Sequence, residues 1–364
     1  MQRIKILDSF RGLAGAVVVF HHIYTRFSYL YIDKEPALLH SIFTFISNLN
    51  VEAVLFFFVL SGFSIRLSLR KGLPVTKELF NEYVYRRLKR ILPLYYVAIL
   101  FTLASGFIIH SIYINDDFSI KNLLGNIFFL QCSNSYKGNW FAPYGDNGPL
   151  WSLPFEMFYY FFFPVFIWGM LKTLKAKMLT EKTNRIVLCS TLLISLVCIL
   201  INNKIFFPYI AFAALFYIWY CGFFLADLYI TKRVLWNSNF LIAVALLLLT
   251  GTLLYLKSSA ELYKLFCGSV MATCFFIVYV LRTKYHSFFI NFFDKVFNFF
   301  FYYIGKGSYT LYLLHYPLLM ILKSYQQINL LEIILSITLL VFFCTTLEQA
   351  FVRKKWLFLK RKYI

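Results

Sequence analysis

Residues 7–24 read LDSFRGLAGAVVVFHHIY, an apolar run that carries an arginine at position 11 and a histidine at position 22. On an α-helix, eleven residues at about 100° each complete three turns plus roughly 20°, so Arg11 and His22 share one face about 16 Å apart. These side chains are costly in lipid and usually face a bundle interior or a wet cavity. We interpret them as a candidate catalytic pair. The alternative is an ion pair of Arg11 with Asp8 plus an interfacial histidine.

The composition places this run in a membrane protein. Hydrophobic residues make up 60% of the 364 residues and charged residues 14%, whereas soluble domains carry about 25% charge. The formal net charge is +20, but most of the 36 Lys and Arg residues lie on one side of the apolar segments. That distribution follows the positive-inside rule with both termini cytoplasmic. We therefore expect the lipid bilayer as a partner and no nucleic acid.

The apolar runs predict an all-α integral membrane protein with about ten transmembrane helices. Residues 1–350 form the predicted membrane domain and 351–364 a basic cytoplasmic tail, with no separate soluble domain expected. The apolar run 288–303 is interrupted by Asp294 and Lys295, which favours an interfacial or re-entrant helix. The ten predicted spans are residues 7–27, 41–64, 91–110, 149–171, 186–203, 207–229, 238–256, 262–281, 307–323 and 329–349.

Several motifs that would indicate other chemistry are missing from the sequence. It has no G-x-x-x-x-G-K-[ST] phosphate loop and no G-x-S-x-G nucleophile elbow. Its seven cysteines include no C-x-x-C pair, so we expect buried thiols rather than metal or redox sites. We expect no metal and no permanently bound cofactor.

Two arginines precede the third predicted span. Arg87 and Arg90 are three residues apart, so on a helix they project from one side. Two forked guanidiniums on one side suit a phosphate or pyrophosphate ligand. The alternative is that they follow the positive-inside rule and contact lipid headgroups.

The start of the fourth predicted span is a candidate acceptor site made of Trp151, Ser152 and Glu156. Trp151 suits an interfacial belt, and its ring can also stack on a sugar. A carboxylate within the membrane, as predicted for Glu156, is more often functional than decorative, so Glu156 is also a candidate catalytic residue beside His22 and Arg11. His315 lies mid-span just before Pro317, either as a packing residue or as part of the substrate site.

Five segments, in chain order, resemble motifs of the membrane acyltransferase-3 family. The resemblance spans nearly the whole chain and implies a ten-helix membrane domain that moves an acyl group, often acetyl from acetyl-CoA, to glycan hydroxyls. It implies His22 as the essential histidine, with Arg11 as its paired arginine. Arg87 and Arg90 match the pair associated with the donor. The segments are Arg11-x10-His22, FFVLSGF at 57–63, RLKRILP at 87–93, GPLWSLPFEMFY at 148–159 and GKGSYTLYLLHYP at 305–317.

One segment departs from the family pattern. Ala-Val-Leu at 53–55 stands where many members have Gly-Val-Asp, so the acidic role there is lost or falls to Glu52.

The resemblance implies an O-acetyltransferase in the bacterial cytoplasmic (inner) membrane. Acyl-CoA would bind on the cytoplasmic side, and a glycan or lipid-linked glycan would accept the acyl group on the other side. His22 would either form an acyl-histidine or act as a general base, and the sequence leaves both routes open. The alternative function is a non-enzymatic carrier or exporter in polysaccharide assembly, since intramembrane charges also mark transport pathways.

Overall fold

The computed structural model describes residues 5–30, 36–69, 72–109, 116–132, 140–202, 209–231, 264–265, 268–275, 288–325 and 327–353, and these contain helices and no strand. Short 3₁₀ turns cover Ser28–Leu30, Asp116–Phe118, Tyr144–Asp146 and Gly148–Ser152. The α-helices are α1 Lys5–Arg26, α2 Ala37–Asn48, α3 Asn50–Ser68, α4 Lys77–Ile108, α5 Ile120–Ile127, α6 Leu153–Thr173, α7 Glu181–Asn202, α8 Ile210–Ala214, α9 Phe216–Ile230, α10 Phe288–Lys306, α11 Ser308–Ser324 and α12 Leu330–Arg353. Residues 268–275 are helical as well.

Seven helical segments among the described residues are long and apolar enough to cross a membrane: α1, α3, α4, α6 with its preceding turn, α7, α8 with α9, and α12. The predicted multi-pass character is confirmed at this level. Helix α11 occupies the span predicted at 307–323. It has 17 residues, so it is shorter than the seven segments and is not counted among them. The predicted span 238–256 and part of 262–281 lie outside the described residues, so a count of ten stays a prediction.

Two predicted spans have different boundaries in the structure. The span predicted at 41–64 divides at Leu49 into α2 and α3. The division falls in a polar stretch, whose serine and asparagine side chains compete for backbone hydrogen bonds. The span predicted at 91–110 is the second part of the 32-residue helix α4. Its start is fixed by Thr76, whose hydroxyl accepts a hydrogen bond from the backbone N–H of Leu79 at 3.4 Å.

The span predicted at 207–229 is divided in the structure, whereas the run 288–303 is helical, as expected. The span predicted at 207–229 is two helices, α8 and α9, that meet at Leu215. The interrupted run at 288–303 is part of one continuous helix, α10, in spite of Asp294 and Lys295. Helix α10 packs along α1, so it belongs to the bundle.

Close helix contacts place α1 and α3 at the centre of this arrangement. A Cβ on Gly12 of α1 or on Gly305 of α10 would overlap a backbone carbonyl of the other helix. Gly62 of α3 and Gly222 of α9 meet in the same way. Small residues allow such backbone contact between membrane helices. Helix α1 also packs against α3 and α11, and α11 packs against α4. These contacts bring together the helices that carry the candidate site.

Candidate active site

Arg11 is held in place from two sides. Its Nη1 donates to Asp8 Oδ1 at 3.0 Å, and its Nη2 donates to Ser64 Oγ of α3 at 2.5 Å. The Asp8 side chain is buried. The ion pair weighed as the alternative for Arg11 is therefore present. The same guanidinium also lines a cavity, so the ion pair and a role in a site are compatible.

That cavity, called here the arginine cavity, has a volume of about 70 Å³ and lies between α1, α3, α4, α6 and α11. Three arginines and one carboxylate give it an excess of positive charge. Its polar lining consists of Arg11, Ser61, Ser64, Arg87, Arg90, Ser152, Glu156, Tyr160, Ser308, Tyr309 and Tyr312.

The two arginines of α4 leave hydrogen-bond donors available in this cavity. Arg87 is buried, and its Nη2 donates to Ser68 Oγ at 2.8 Å. Its buried Nε has no hydrogen-bond partner among the described residues. The Arg90 side chain is exposed, lines the cavity and forms no hydrogen bond or ion pair within the described part of the chain. Arginines with unused donors suit an anionic ligand with several oxygens.

Glu156 belongs to a hydrogen-bonded cluster on the wall of the arginine cavity. Ser61 Oγ donates to Glu156 Oε1 at 3.0 Å, and the Tyr160 hydroxyl donates to the same oxygen. Trp219 Nε1 of α9 donates to Ser61 Oγ at 3.2 Å. The carboxylate is thus fixed beside the arginines, which offset its charge in the membrane interior.

A second cavity, called here the histidine cavity, has a volume of about 220 Å³. It lies at the other end of the Arg11–His22 face of α1 and is bounded by the segment 142–151. Its lining includes two carboxylates. The lining residues are Val18, His22, Asn50, Val54, Asp117, Ala142, Pro143, Asp146, Gly148, Pro149, Trp151 and Tyr312.

His22 faces this cavity and the side chains of α11. Its ring centre lies 5.3 Å from that of His315 and 5.0 Å from that of Tyr316. No hydrogen bond to His22 is formed by the residues that the structure describes. The neighbouring His21 is bound elsewhere, since its Nδ1 donates to the Ser47 carbonyl oxygen at 2.9 Å. His22 therefore has ring nitrogens available for a ligand.

His315 is fully buried behind His22. Its Nδ1 donates to the Leu311 carbonyl oxygen at 3.0 Å, whereas its Nε2 has no hydrogen-bond partner among the described residues. A carbonyl only accepts, so Nδ1 carries the proton and a neutral ring has its lone pair on Nε2. The side chain is an unused hydrogen-bond acceptor beside the histidine cavity.

The 3₁₀ turn Tyr144–Asp146 contributes to the lining of the histidine cavity. Gly145 and Asp146 have φ angles of 60° and 56°, in the left-handed region. This conformation brings the Asp146 carboxylate 3.5 Å from an Arg26 Nη2, and Arg26 also donates to the Tyr316 hydroxyl. Partial burial raises the pKa of Asp146, against the opposing effect of Arg26. The loop thus places a carboxylate near His22.

The structure divides the predicted acceptor set between the two cavities. Trp151 lines the histidine cavity with His22, whereas Ser152 and Glu156 line the arginine cavity with Arg87. The residues that line the histidine cavity but were absent from the predicted site include Asn50, Asp117 and Asp146. They lie in turns and at a helix start, where the sequence carries no periodic signal for the direction of a side chain.

A family model described as an acyltransferase domain matches residues 4–349 of the chain. The chain belongs to the acyltransferase-3 family. No curated protein and no solved structure matches it. Membership of the acyltransferase-3 family identifies the protein as an acyltransferase, and its apolar helices agree with a multi-pass membrane protein.

In this acyltransferase-3 protein, the motif residues of the first helix open into different cavities. Arg11 lines the arginine cavity and His22 lines the histidine cavity. Val54 of α3 and Tyr312 of α11 line both. The two cavities therefore adjoin each other. The side chains of Val54 and Tyr312 lie between the arginines of one cavity and His22 of the other.

Proposed function

We propose that this protein transfers an acetyl group from acetyl-CoA to a hydroxyl group of a cell-surface or exported glycan, across the bacterial cytoplasmic membrane. The observation that carries the proposal is the pair of adjoining cavities, one cationic and one with an available histidine. A donor with phosphates fits the first cavity, and an acceptor with hydroxyls fits the second. No permanently bound cofactor is required for this reaction.

The arginine cavity supports binding of the donor. Arg87 and Arg90 present unused guanidinium donors, which suit the phosphate groups of CoA. We assign this cavity to the cytoplasmic side because it is lined by the arginines of the basic segment before the third predicted span. The pantetheine arm would extend along α11 toward Tyr312 and His22.

The histidine cavity supports binding of the acceptor. Trp151 offers an aromatic face for a sugar ring, and Asp146 offers a hydrogen-bond acceptor for hydroxyl groups. His315 Nε2 supplies a further acceptor beside His22. We assign the acceptor, a glycan or a lipid-linked glycan, to this cavity.

In the proposed reaction, a ring nitrogen of His22 removes the proton from the acceptor hydroxyl. The hydroxyl oxygen forms a bond to the thioester carbonyl carbon, and the bond from that carbon to sulfur breaks. The sulfur leaves with the proton held by His22, so the products are the O-acetyl ester and free CoA. Arg11, held by Asp8 and Ser64, contributes positive charge along the path of the donor.

Sealed inverted membrane vesicles test both the chemistry and its direction. Labelled acetyl-CoA is added outside, and methyl glycosides are trapped in the lumen as acceptors. We expect labelled ester in the lumen and one free CoA outside per ester. Transport of the glycoside without release of CoA would instead support a carrier. Acetylation only of glycoside added outside would overturn the transfer across the membrane.

A further inference from the structure

Two side chains lie at the boundary between the arginine cavity and the histidine cavity. Val54 of α3 and Tyr312 of α11 are the residues common to the two linings. Both side chains are buried. A ligand that extends from the arginine cavity into the histidine cavity would therefore pass these two side chains.

Tyr312 is fixed in position at this boundary. Its hydroxyl donates to the Pro149 carbonyl oxygen at 2.8 Å and lies 2.8 Å from Ser152 Oγ. Because a phenol has one proton, Ser152 is the donor in the second hydrogen bond. The Phe57 ring packs against Tyr312 edge to face, 6.0 Å between centres. With both bonds formed, the Tyr312 ring cannot swing aside without leaving buried polar groups unpaired.

The position of Tyr312 on α11 relates the boundary to the two ends of the proposed path. Tyr309, one turn earlier, lines the arginine cavity. His315, one turn later, lies 5.3 Å from His22 between ring centres. One helical turn is about 5.4 Å, so Tyr312 lies about one turn along α11 from His315, the neighbour of His22.

We propose that Val54 and Tyr312 form a neck that selects donors by the length of their acyl group. The inference rests on the proposed function, since it assumes that a thioester crosses this boundary. Tyr312 is the fixed side and Val54 is the side that sets the width. An acetyl group passes, whereas each added methylene has to fit between a rigid phenol ring and a branched side chain. Tyr312 selects by shape and supplies no proton, because its own proton is bound by Pro149.

The first test widens the neck. Release of CoA is measured with acetyl-, propionyl- and butyryl-CoA at a fixed concentration of a methyl glycoside. We expect Val54→Ala to raise the ratio of kcat/KM for butyryl-CoA over acetyl-CoA by about tenfold or more. Val51→Ala is the matched control, because Val51 lies on the same helix and lines neither cavity. Its ratio should equal that of the unsubstituted protein.

The second test narrows the neck. Val54→Phe should lower transfer from acetyl-CoA by about tenfold or more, while the dissociation constant for free CoA, measured by calorimetry, stays within about twofold. Retained CoA binding shows that the variant is folded. If Val54→Phe binds no CoA, the neck is tested by Val54→Ala alone, through its ratio of kcat/KM for butyryl-CoA over acetyl-CoA.

The outcomes separate the neck from the function on which it rests. If the unsubstituted protein releases no CoA from any donor, the proposed function fails and the neck fails with it. If it releases CoA but Val54→Ala has the same donor ratio, the neck alone is overturned. Full acetyl transfer by Val54→Phe would overturn the neck as well.

Discussion

The imidazole rings of His22 and His315 lie 5.3 Å apart, centre to centre, with a tilt of 35°. They come from the first and the penultimate helix of the described bundle. His315 is fixed by its hydrogen bond to the Leu311 carbonyl, whereas His22 has no hydrogen bond within the described residues. The orientation of the His315 ring is therefore fixed by a backbone hydrogen bond, whereas the His22 ring is available to a ligand in the histidine cavity.

The neighbouring histidines of α1 provide a matched pair of variants. We expect His22→Ala to lower acetyl transfer by at least about a hundredfold, the usual contribution of a general base. His21→Ala should lower it far less, because His21 is bound to Ser47. Both variants are assayed in vesicles after their amounts in the membrane are equalised. Equal losses in the two would contradict the assignment of His22.

His315 is expected to act on the acceptor. His315→Ala removes the unpartnered Nε2 beside His22 and leaves the arginine cavity unchanged. The KM for a methyl glycoside should rise about tenfold, as loss of roughly 1.4 kcal/mol would give, while the KM for acetyl-CoA stays constant. His40→Ala, at α2, is the control. A change confined to the KM for acetyl-CoA would place His315 on the donor side instead.

The arginines of α4 are expected to hold the donor. Arg87→Ala and Arg90→Ala should each raise the KM for acetyl-CoA by about tenfold, and lysine at either position should restore only part of this. The control is Arg86→Ala, on the same helix, whose side chain pairs with Glu82 at 3.8 Å and lines neither cavity. If the variants have an unchanged KM for acetyl-CoA but an altered membrane topology, Arg87 and Arg90 only orient the protein in the membrane by the positive-inside rule.

Glu156 is expected to affect the donor because the structure places it beside the arginines. Glu156→Gln keeps an acceptor for Ser61 and Tyr160 but removes a negative charge from the cavity. The KM for acetyl-CoA should fall by about two- to fivefold, the effect of roughly 0.5–1 kcal/mol of repulsion. Glu332→Gln, at the exposed start of α12, is the control. An effect only on the KM for the glycoside would return Glu156 to the acceptor site.

A buried ion pair away from both cavities is expected to serve stability alone. Arg66 Nη2 lies 2.6 Å from Asp227 Oδ1, and Asn184 donates to Asp227 Oδ2 at 2.8 Å. Asp227→Ala leaves the guanidinium without this partner and should cost about 3 kcal/mol. Removing Glu181, which pairs with Arg185 at a partly exposed site, should cost less than about 1 kcal/mol. Thermal unfolding in detergent measures both, and a small loss for Asp227→Ala would contradict the expectation.

The class of the protein and the residues on its central helix face follow from the amino-acid sequence alone. Long apolar runs predict membrane helices because lipid leaves backbone groups no other partner than the helix itself. The 3.6-residue period places Arg11 and His22 on one face, and the three-residue spacing does the same for Arg87 and Arg90. These are local properties, and they follow from the chain without its packing.

Which of these helix faces meet depends on how the helices pack. Helix α6 is apolar nearly all round, so its sequence does not show that Glu156 turns toward Arg87 rather than toward His22. Its rotation is set by hydrogen bonds to Ser61 on a different helix. The boundary between the cavities likewise depends on α3 and α11 packing side by side on α1, because contacts between residues far apart in sequence follow from how whole helices pack.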